Sequence, residues 1–184
     1  IDTSNQAMSI AVLDGERIIG EMTTTIKRNH SERLMPAIDE LMNDIQWKPS
    51  ELDRIVVAKG PGSYTGLRIG VTIAKTLAWT LGVELVGISS LKTLAGNCES
   101  STHYLVPLFD ARRKNIYTGL YQWQNGNLVQ IEPDTHISAE LWAEHLSKRE
   151  GTFELIGEDR SLYTDTFEQH LTNRVFEAPL KDHL

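Results

Sequence analysis

Apolar residues dominate Met8-Ser-Ile-Ala-Val-Leu13 and recur among polar ones from Arg17 to Ile26, with Asp14-Gly15 between the two runs. The two runs predict strands, and Asp-Gly between them predicts a tight hairpin. From Ser31 the period becomes helical. Leu34, Ile38, Leu41 and Ile45 share one stripe, and Ser31 is placed to cap the start. Pro36 falls late for a helix start, so an irregular or kinked first turn is expected. Arg54–Ala58 predicts a short buried strand, followed by Lys59-Gly-Pro-Gly-Ser-Tyr-Thr-Gly66 and a second helix from about Thr65 to Leu81. A strand at Val83–Gly87 and a short helix from Ser89 or Ser90 end this half.

Near residue 101 the order restarts. Tyr104-Leu-Val-Pro-Leu-Phe109 runs into Asp110 as Ile1 runs into Asp2, and Asn115–Trp123 and Leu128–Ile131 flank a turn at Asn125-Gly126-Asn127. The spacing from Asp to hairpin Gly is 13 residues in the first copy and 16 in the second. A helix at Ser138–Lys148, a strand at Phe153–Ile156 and a helix from about Ser161 follow. The expectation is a duplicated α/β unit with mixed sheets, divided near Glu99–Thr102 into segments 1–100 and 101–184. Ile1-Asp-Thr-Ser4 reads as the end of a strand whose beginning is missing, and Ala178–Leu184 stops without a closing helix. Both ends therefore read as cut from a slightly longer chain.

Composition narrows the class. The 184 residues carry one cysteine, Cys98, which excludes an internal disulfide and a thiolate zinc site. No apolar run approaches the ~20 residues needed to cross a bilayer. A formal net charge of −7 argues against binding nucleic acid alone through phosphate neutralisation. The reading is a reduced, soluble, cytoplasmic protein with no membrane partner.

Gly60, Gly62 and Gly66 give G-x-G-x-x-x-G, one residue too long for the dinucleotide fingerprint, and Leu67-Arg68 stands where a P-loop needs Lys-Ser/Thr. A tight strand-to-helix turn with close packing is the favoured reading. In the second helix Gly66, Gly70, Ala74 and Ala78 recur every four residues, while Leu67, Ile69, Val71, Ile73, Leu77 and Leu81 are apolar. Such a helix is buried on more than one side. Either it is sandwiched inside the domain or it meets a partner. Ser4, Ser63 and Cys98 are candidate nucleophiles, but Ser63 sits one place too early for G-x-S-x-G. The six histidines form no H-x-x-x-H or H-E-x-x-H pair, so no metal site is expected and they read as surface or helix-end residues. Arg112-Arg113-Lys114 is a short basic run after Asp110, ordinarily a solvated turn and otherwise a contact for RNA or phosphate.

Ile1-Asp-Thr-Ser4, His30-Ser-Glu-Arg-Leu-Met-Pro-Ala-Ile-Asp39, Lys59-Gly-Pro-Gly-Ser-Tyr-Thr-Gly-Leu-Arg-Ile-Gly70 and Asp110-Ala-Arg-Arg113 closely resemble, in order, the bacterial TsaB (YeaZ) family. The resemblance runs along essentially the whole chain. It implies the duplicated, RNase H-like fold of actin, Hsp70 and acetate kinase. It also implies a non-catalytic paralogue and partner of TsaD. TsaD transfers threonylcarbamoyl to the adenosine beside the anticodon, making t6A in tRNAs that read codons beginning with A. TsaE, an ATPase, completes the set, and TsaC supplies threonylcarbamoyl-adenylate. No cofactor of this chain's own is implied, and ATP or ADP enters only in the complex with TsaD and TsaE.

Departures from the enzymes point the same way. In TsaD relatives a comparable turn and helix lead to a metal-holding histidine pair, whereas Val86–Ala95 here contains no histidine. A metal that orients phosphate needs such ligands. Nucleotide-using relatives place a Gly-containing turn after each strand-one Asp, but Asp110-Ala-Arg-Arg-Lys has no Gly and adds three cations. Asp2, Thr3, Ser4 and Asp110 are thus expected to mark a vestigial nucleotide site. The expected function is an assembly subunit. The alternative is a weak ATPase or a peptidase, as glycoprotease-style names for relatives suggest. The surface for TsaD, or for a second copy in a homodimer, is expected on the helices from Ser31 and Thr65. It would use Met35 and Met42 together with Gly66, Gly70, Val71, Ala74 and Ala78, methionine suiting a surface that fits more than one partner. tRNA is reached through the complex, where Arg112, Arg113 and Lys114, if not simply a solvated turn, could add contacts.

Overall fold

The computed structural model describes residues 1–25, 30–99 and 101–178. The chain divides into two compact units, Ile1–Ser90 and Leu91–Leu184. In the first, β1 (Met8–Asp14) and β2 (Arg17–Thr24) form the expected antiparallel hairpin. Helix α1 (His30–Asp44) follows, then β3 (Arg54–Ala58), α2 (Tyr64–Leu81) and β4 (Glu84–Ile88), with β3 and β4 parallel. The stretch α3 (Ser90–Gly96) leads into β5 (Tyr104–Asp110), β6 (Asn115–Gln124) and β7 (Asn127–Ser138). Helix α4 (Ala139–Ser147), β8 (Phe153–Ile156), α5 (Thr164–Leu171) and β9 (Val175–Glu177) complete the order.

The second unit holds one five-stranded sheet in the order β7-β6-β5-β8-β9. β5 pairs antiparallel with the hairpin on one side and parallel with β8 on the other. The first unit repeats this pattern around residues 1–3. Asp2 exchanges two 2.8 Å backbone hydrogen bonds with Ser9 of β1, and the Ile1 carbonyl accepts from the Ala58 amide of β3 at 2.9 Å. The duplication also reaches a local detail. Asp2 Oδ1 accepts from the Ser4 amide at 2.7 Å, and Asp110 Oδ1 accepts from the Arg112 amide at 2.9 Å. An aspartate ending the central segment thus closes the same short turn in each half. Mixed sheets flanked by helices, occurring twice, are the fold class expected.

Burial explains the layers. In the first unit Met8, Ile10 and Val12 pack against Leu34, Ala37, Leu41 and Met42 of α1, while Ile55 and Val57 pack against Ala74 and Ala78 of α2. In the second, Val106, Leu108, Ile116 and Leu120 face Trp142, Ala143 and Leu146 of α4 and Phe167 and Leu171 of α5. The other face of that sheet puts Leu105, Tyr121 and Ile156 against Leu91, Leu94, Ala95 and Cys98. β5 is buried on both faces, which is why it reads as an unbroken apolar run. Because α3 packs on the second sheet, the units divide at Ser90/Leu91, earlier than the Glu99–Thr102 boundary expected.

Three local expectations change. Helix α1 runs through Pro36, which lies on its exposed side, while Leu34, Ala37, Leu41 and Met42 hold the opposite side in the core. β7 extends seven residues past Ile131, because Thr135–Ser138 pair with Asn115–Thr118 across register shifts. The polar, Pro133-containing sequence hides this extension. β9 is only three residues long and carries no periodic signal. Ile26 of the expected second strand, and residues 179–184, lie outside the described residues.

Candidate functional site

The glycine-rich connection from β3 to α2 is a packing device. Ser63 caps α2, its hydroxyl accepting from the Gly66 amide at 3.3 Å, so this candidate nucleophile has a structural task. The Ser63 amide donates to the Ser4 carbonyl at 2.6 Å, and the Thr3 hydroxyl donates to the Gly66 carbonyl at 2.8 Å. A Cβ on Gly62 would stand 2.2 Å from the Ser4 carbonyl oxygen. On Gly66 it would stand 2.0 Å from the Thr3 carbonyl oxygen, and on Gly70 it would stand 2.3 Å from Thr3 Oγ1. The glycines let the helix lie directly on the chain segment that follows Asp2.

This overturns the expected partner groove. Gly66, Gly70, Ala74 and Ala78 are all buried against their own unit, and Val71 packs into the same cluster. Met42 is likewise buried, with Met8, Ile10 and Leu34. Small side chains every four residues mark the side of α2 that must approach backbone, and in this fold that backbone is the chain's own. Of the two methionines, Met35 alone stays at the surface, 44% exposed.

The outward face of α2 is the opposite stripe. Tyr64 is 74% exposed and Trp79 87% exposed, with Arg68, Thr72 and Lys75 between them also exposed. The Arg68 guanidinium lies 5.4 Å from the centre of the Tyr64 ring. Beside this stripe a groove of about 420 Å³ runs between the start of α1 and α2. It is lined by Ser31, Tyr64, Thr65, Arg68, Ile69, Thr72 and Ile73. Sequence reasoning missed Tyr64, Arg68, Thr72 and Trp79 as surface residues. The i, i+4, i+8 spacing of Tyr64, Arg68 and Thr72 opposite the small residues, with Trp79 two turns further on the same side, was the available signal.

The remaining candidates are distributed between the units. Asp2, Thr3 and Ser4 lie in the first, with Thr3 and Ser4 buried, and Asp110 lies in the second. Asp110 Oδ1 accepts from the Tyr163 hydroxyl at 2.5 Å as well as from Arg112. Burial, reinforced by the Asp110 carboxylate, pushes the Tyr163 phenol well above its usual range. His145 pairs with Glu132 at 2.8 Å and His170 with Glu140 at 2.6 Å, both at the surface. His103 Nδ1 meets Thr152 Oγ1 at 2.6 Å, and its ring stacks on Phe176. That hydroxyl–imidazole contact sits at the amino ends of β5 and β8, whereas ligands of open α/β sheets bind outside the carboxyl ends. Cys98 is buried in an apolar cluster. Among the described residues no group of three or more His, Cys, Asp or Glu is placed to hold a metal ion. Among the same residues, no helix is long and apolar enough to cross a membrane.

A family model described as TsaD, tRNA N6-adenosine threonylcarbamoyltransferase, matches residues 17–168. The chain is 46% identical over 183 residues to the tRNA threonylcarbamoyladenosine biosynthesis protein TsaB of Bacillus subtilis, covering 100% of this chain and 80% of that one. The chain belongs to the TsaB family. The Escherichia coli TsaB protein is 26% identical over 160 residues, 85% of this chain and 69% of its own. Among solved structures, YeaZ from Pseudomonas aeruginosa superposes with a TM-score of 0.79 at 25% identity, covering 98% of this chain and 86% of that one. A second Pseudomonas aeruginosa structure, titled as similar to peptidase YEAZ, gives a TM-score of 0.84 at 26% identity, covering 97% and 82%.

Proposed function

We propose that this chain is the non-catalytic assembly subunit of cytoplasmic tRNA threonylcarbamoylation, binding and activating TsaD together with TsaE. The observation that carries this reading is the 46% identity with the Bacillus subtilis TsaB along the whole chain. The mode of action is read from α1 and α2. Exposed aromatic residues, an arginine and a methionine beside the half-buried Ile69 and Ile73 form the composition of a protein interface core. Tyr64, Arg68, Ile69, Ile73, Trp79 and Met35 supply it, in place of the small-residue stripe. In the absence of TsaD the same face joins two copies of this chain. Support for a non-catalytic role comes from the candidate nucleophiles, since Ser63 caps a helix, Ser4 is buried and Cys98 lies in a core cluster.

The test is TsaD binding by Thr72→Arg. Thr72 is exposed in the middle of the groove, so the variant folds with an unchanged unfolding midpoint. A guanidinium trapped unpaired in the interface costs about 3–5 kcal/mol, or a loss of affinity of roughly 100-fold or more. Light scattering should show loss of the homodimer in parallel. A folded Thr72→Arg protein that binds TsaD as tightly as wild type would overturn the interface.

A further inference from the structure

We propose that the turn Arg112-Arg113-Lys114 is a phosphodiester contact for the tRNA substrate. This deepens the tRNA-modification reading and rests on it. Three successive residues are held at φ of 64°, 52° and 63°, in the left-handed region. Side chains are disfavoured there, and Gly or Asn would occupy such positions at lower cost. The matching turn of the first repeat, after Asp2, has no residue at positive φ and no cation. Strain accepted at three adjacent cations implies that their charges are wanted at that place.

The surroundings direct those charges outward. The Arg112 carbonyl accepts from the Asn115 amide at 2.9 Å, and the Asn115 side chain reaches the Arg112 and Arg113 carbonyls at 3.4 Å. The Lys114 carbonyl accepts from the Ala139 amide at 3.0 Å. All three side chains are exposed, and none makes an ion pair among the described residues. The nearby carboxylates accept from neutral donors and pair with none of the three cations. Asp110 Oδ1 accepts from the Arg112 amide and the Tyr163 hydroxyl, and Asp159 accepts from the Asp110 amide at 2.9 Å. Three exposed cations without an ion pair, on a chain of net charge −7, suit a local contact with a polyanion that other subunits hold.

The experiment compares wild type with the triple variant Arg112→Asn, Arg113→Asn, Lys114→Asn in the complex reconstituted with TsaD and TsaE. Asparagine tolerates the left-handed region, so the turn and the unfolding midpoint are preserved. Binding of an unmodified tRNA transcript is measured across a salt series. Loss of three phosphate contacts should reduce the slope of log affinity against log salt by about 2–3, and weaken binding ~10-fold or more at low salt. Lysine at all three positions should restore the slope. An intact variant complex with an unchanged slope overturns the proposal and leaves the assembly reading standing. So does a variant that loses ATP binding but keeps the tRNA slope, since the phosphate would then be a free nucleotide's. Failure of the wild-type chain to assemble with TsaD overturns the assembly reading instead.

Discussion

Replacing Gly66 with alanine sets helix propensity against packing. Propensity alone favours alanine by about 1 kcal/mol in a helix interior. Here the added Cβ would lie 2.0 Å from the Thr3 carbonyl oxygen, where roughly 3.3 Å is the closest comfortable carbon–oxygen approach. More than ~1 Å must open between α2 and the segment after Asp2, and the obstructing atom is backbone. That segment is tied to the helix by the Ser63–Ser4 and Thr3–Gly66 hydrogen bonds, so yielding weakens both. Overpacking costs about 1–3 kcal/mol and each weakened hydrogen bond about 1 kcal/mol. After the gain in propensity, a net loss of about 2–4 kcal/mol is expected. This is a large part of the ~5–15 kcal/mol typical of a folded domain. The control is Gly96→Ala at the end of α3, where an added Cβ meets nothing within 4 Å. Urea unfolding followed by circular dichroism reads both variants. Gly66→Ala should lower the midpoint by about 1–2 M, taking a slope near 2 kcal/mol per M, while Gly96→Ala should hold or raise it. A Gly66→Ala protein as stable as wild type would refute the packing argument for the whole Gly66–Ala78 stripe.

Further outcomes follow from individual residues. Tyr163→Phe removes the hydroxyl bonds to Asp110 and the Asn115 carbonyl and should cost about 1–2 kcal/mol. Because the folded-state phenol is raised, its contribution is complete below pH ~10 and declines as the unfolded-state phenol ionises above it. The variant should therefore lose part of the wild-type alkaline slope in pH-dependent unfolding. The isolated chain should not hydrolyse ATP at an enzyme-like rate. Metal-dependent turnover near ~1 per second that disappears on substitution of Asp2 or Asp110 would contradict this. It should also bind tRNA weakly without its partners, and sub-micromolar affinity at physiological salt would reveal a basic surface beyond Arg112–Lys114.

The elements that the sequence made legible are those whose burial writes a period. The hairpins are read from Asp14-Gly15 and Asn125-Gly126 between strand-like runs, α1 and α2 from helical stripes, and β5 from an unbroken apolar run. β9 was hidden because three residues carry no period, and the end of β7 because Pro133 and its polar neighbours look like a loop. The site was less legible for a related reason. Small residues every four positions report that something approaches closely, without reporting what. Here it is Thr3 of the same unit, which leaves the bulky stripe of Tyr64, Arg68, Thr72 and Trp79 at the surface and makes it the proposed place for a partner. The backbone strain at Arg112–Lys114 lies outside what composition can show, since nothing in three cations marks left-handed backbone.

Threonylcarbamoylation reconstituted from purified components tests the central claim most directly. TsaC, TsaD and TsaE are incubated with threonine, bicarbonate, ATP and a tRNA transcript, with and without this chain, and t6A is quantified by mass spectrometry of the digested RNA. The account predicts t6A only when the chain is present, and its loss again when Thr72→Arg replaces wild type. Equal t6A with and without the chain would contradict it.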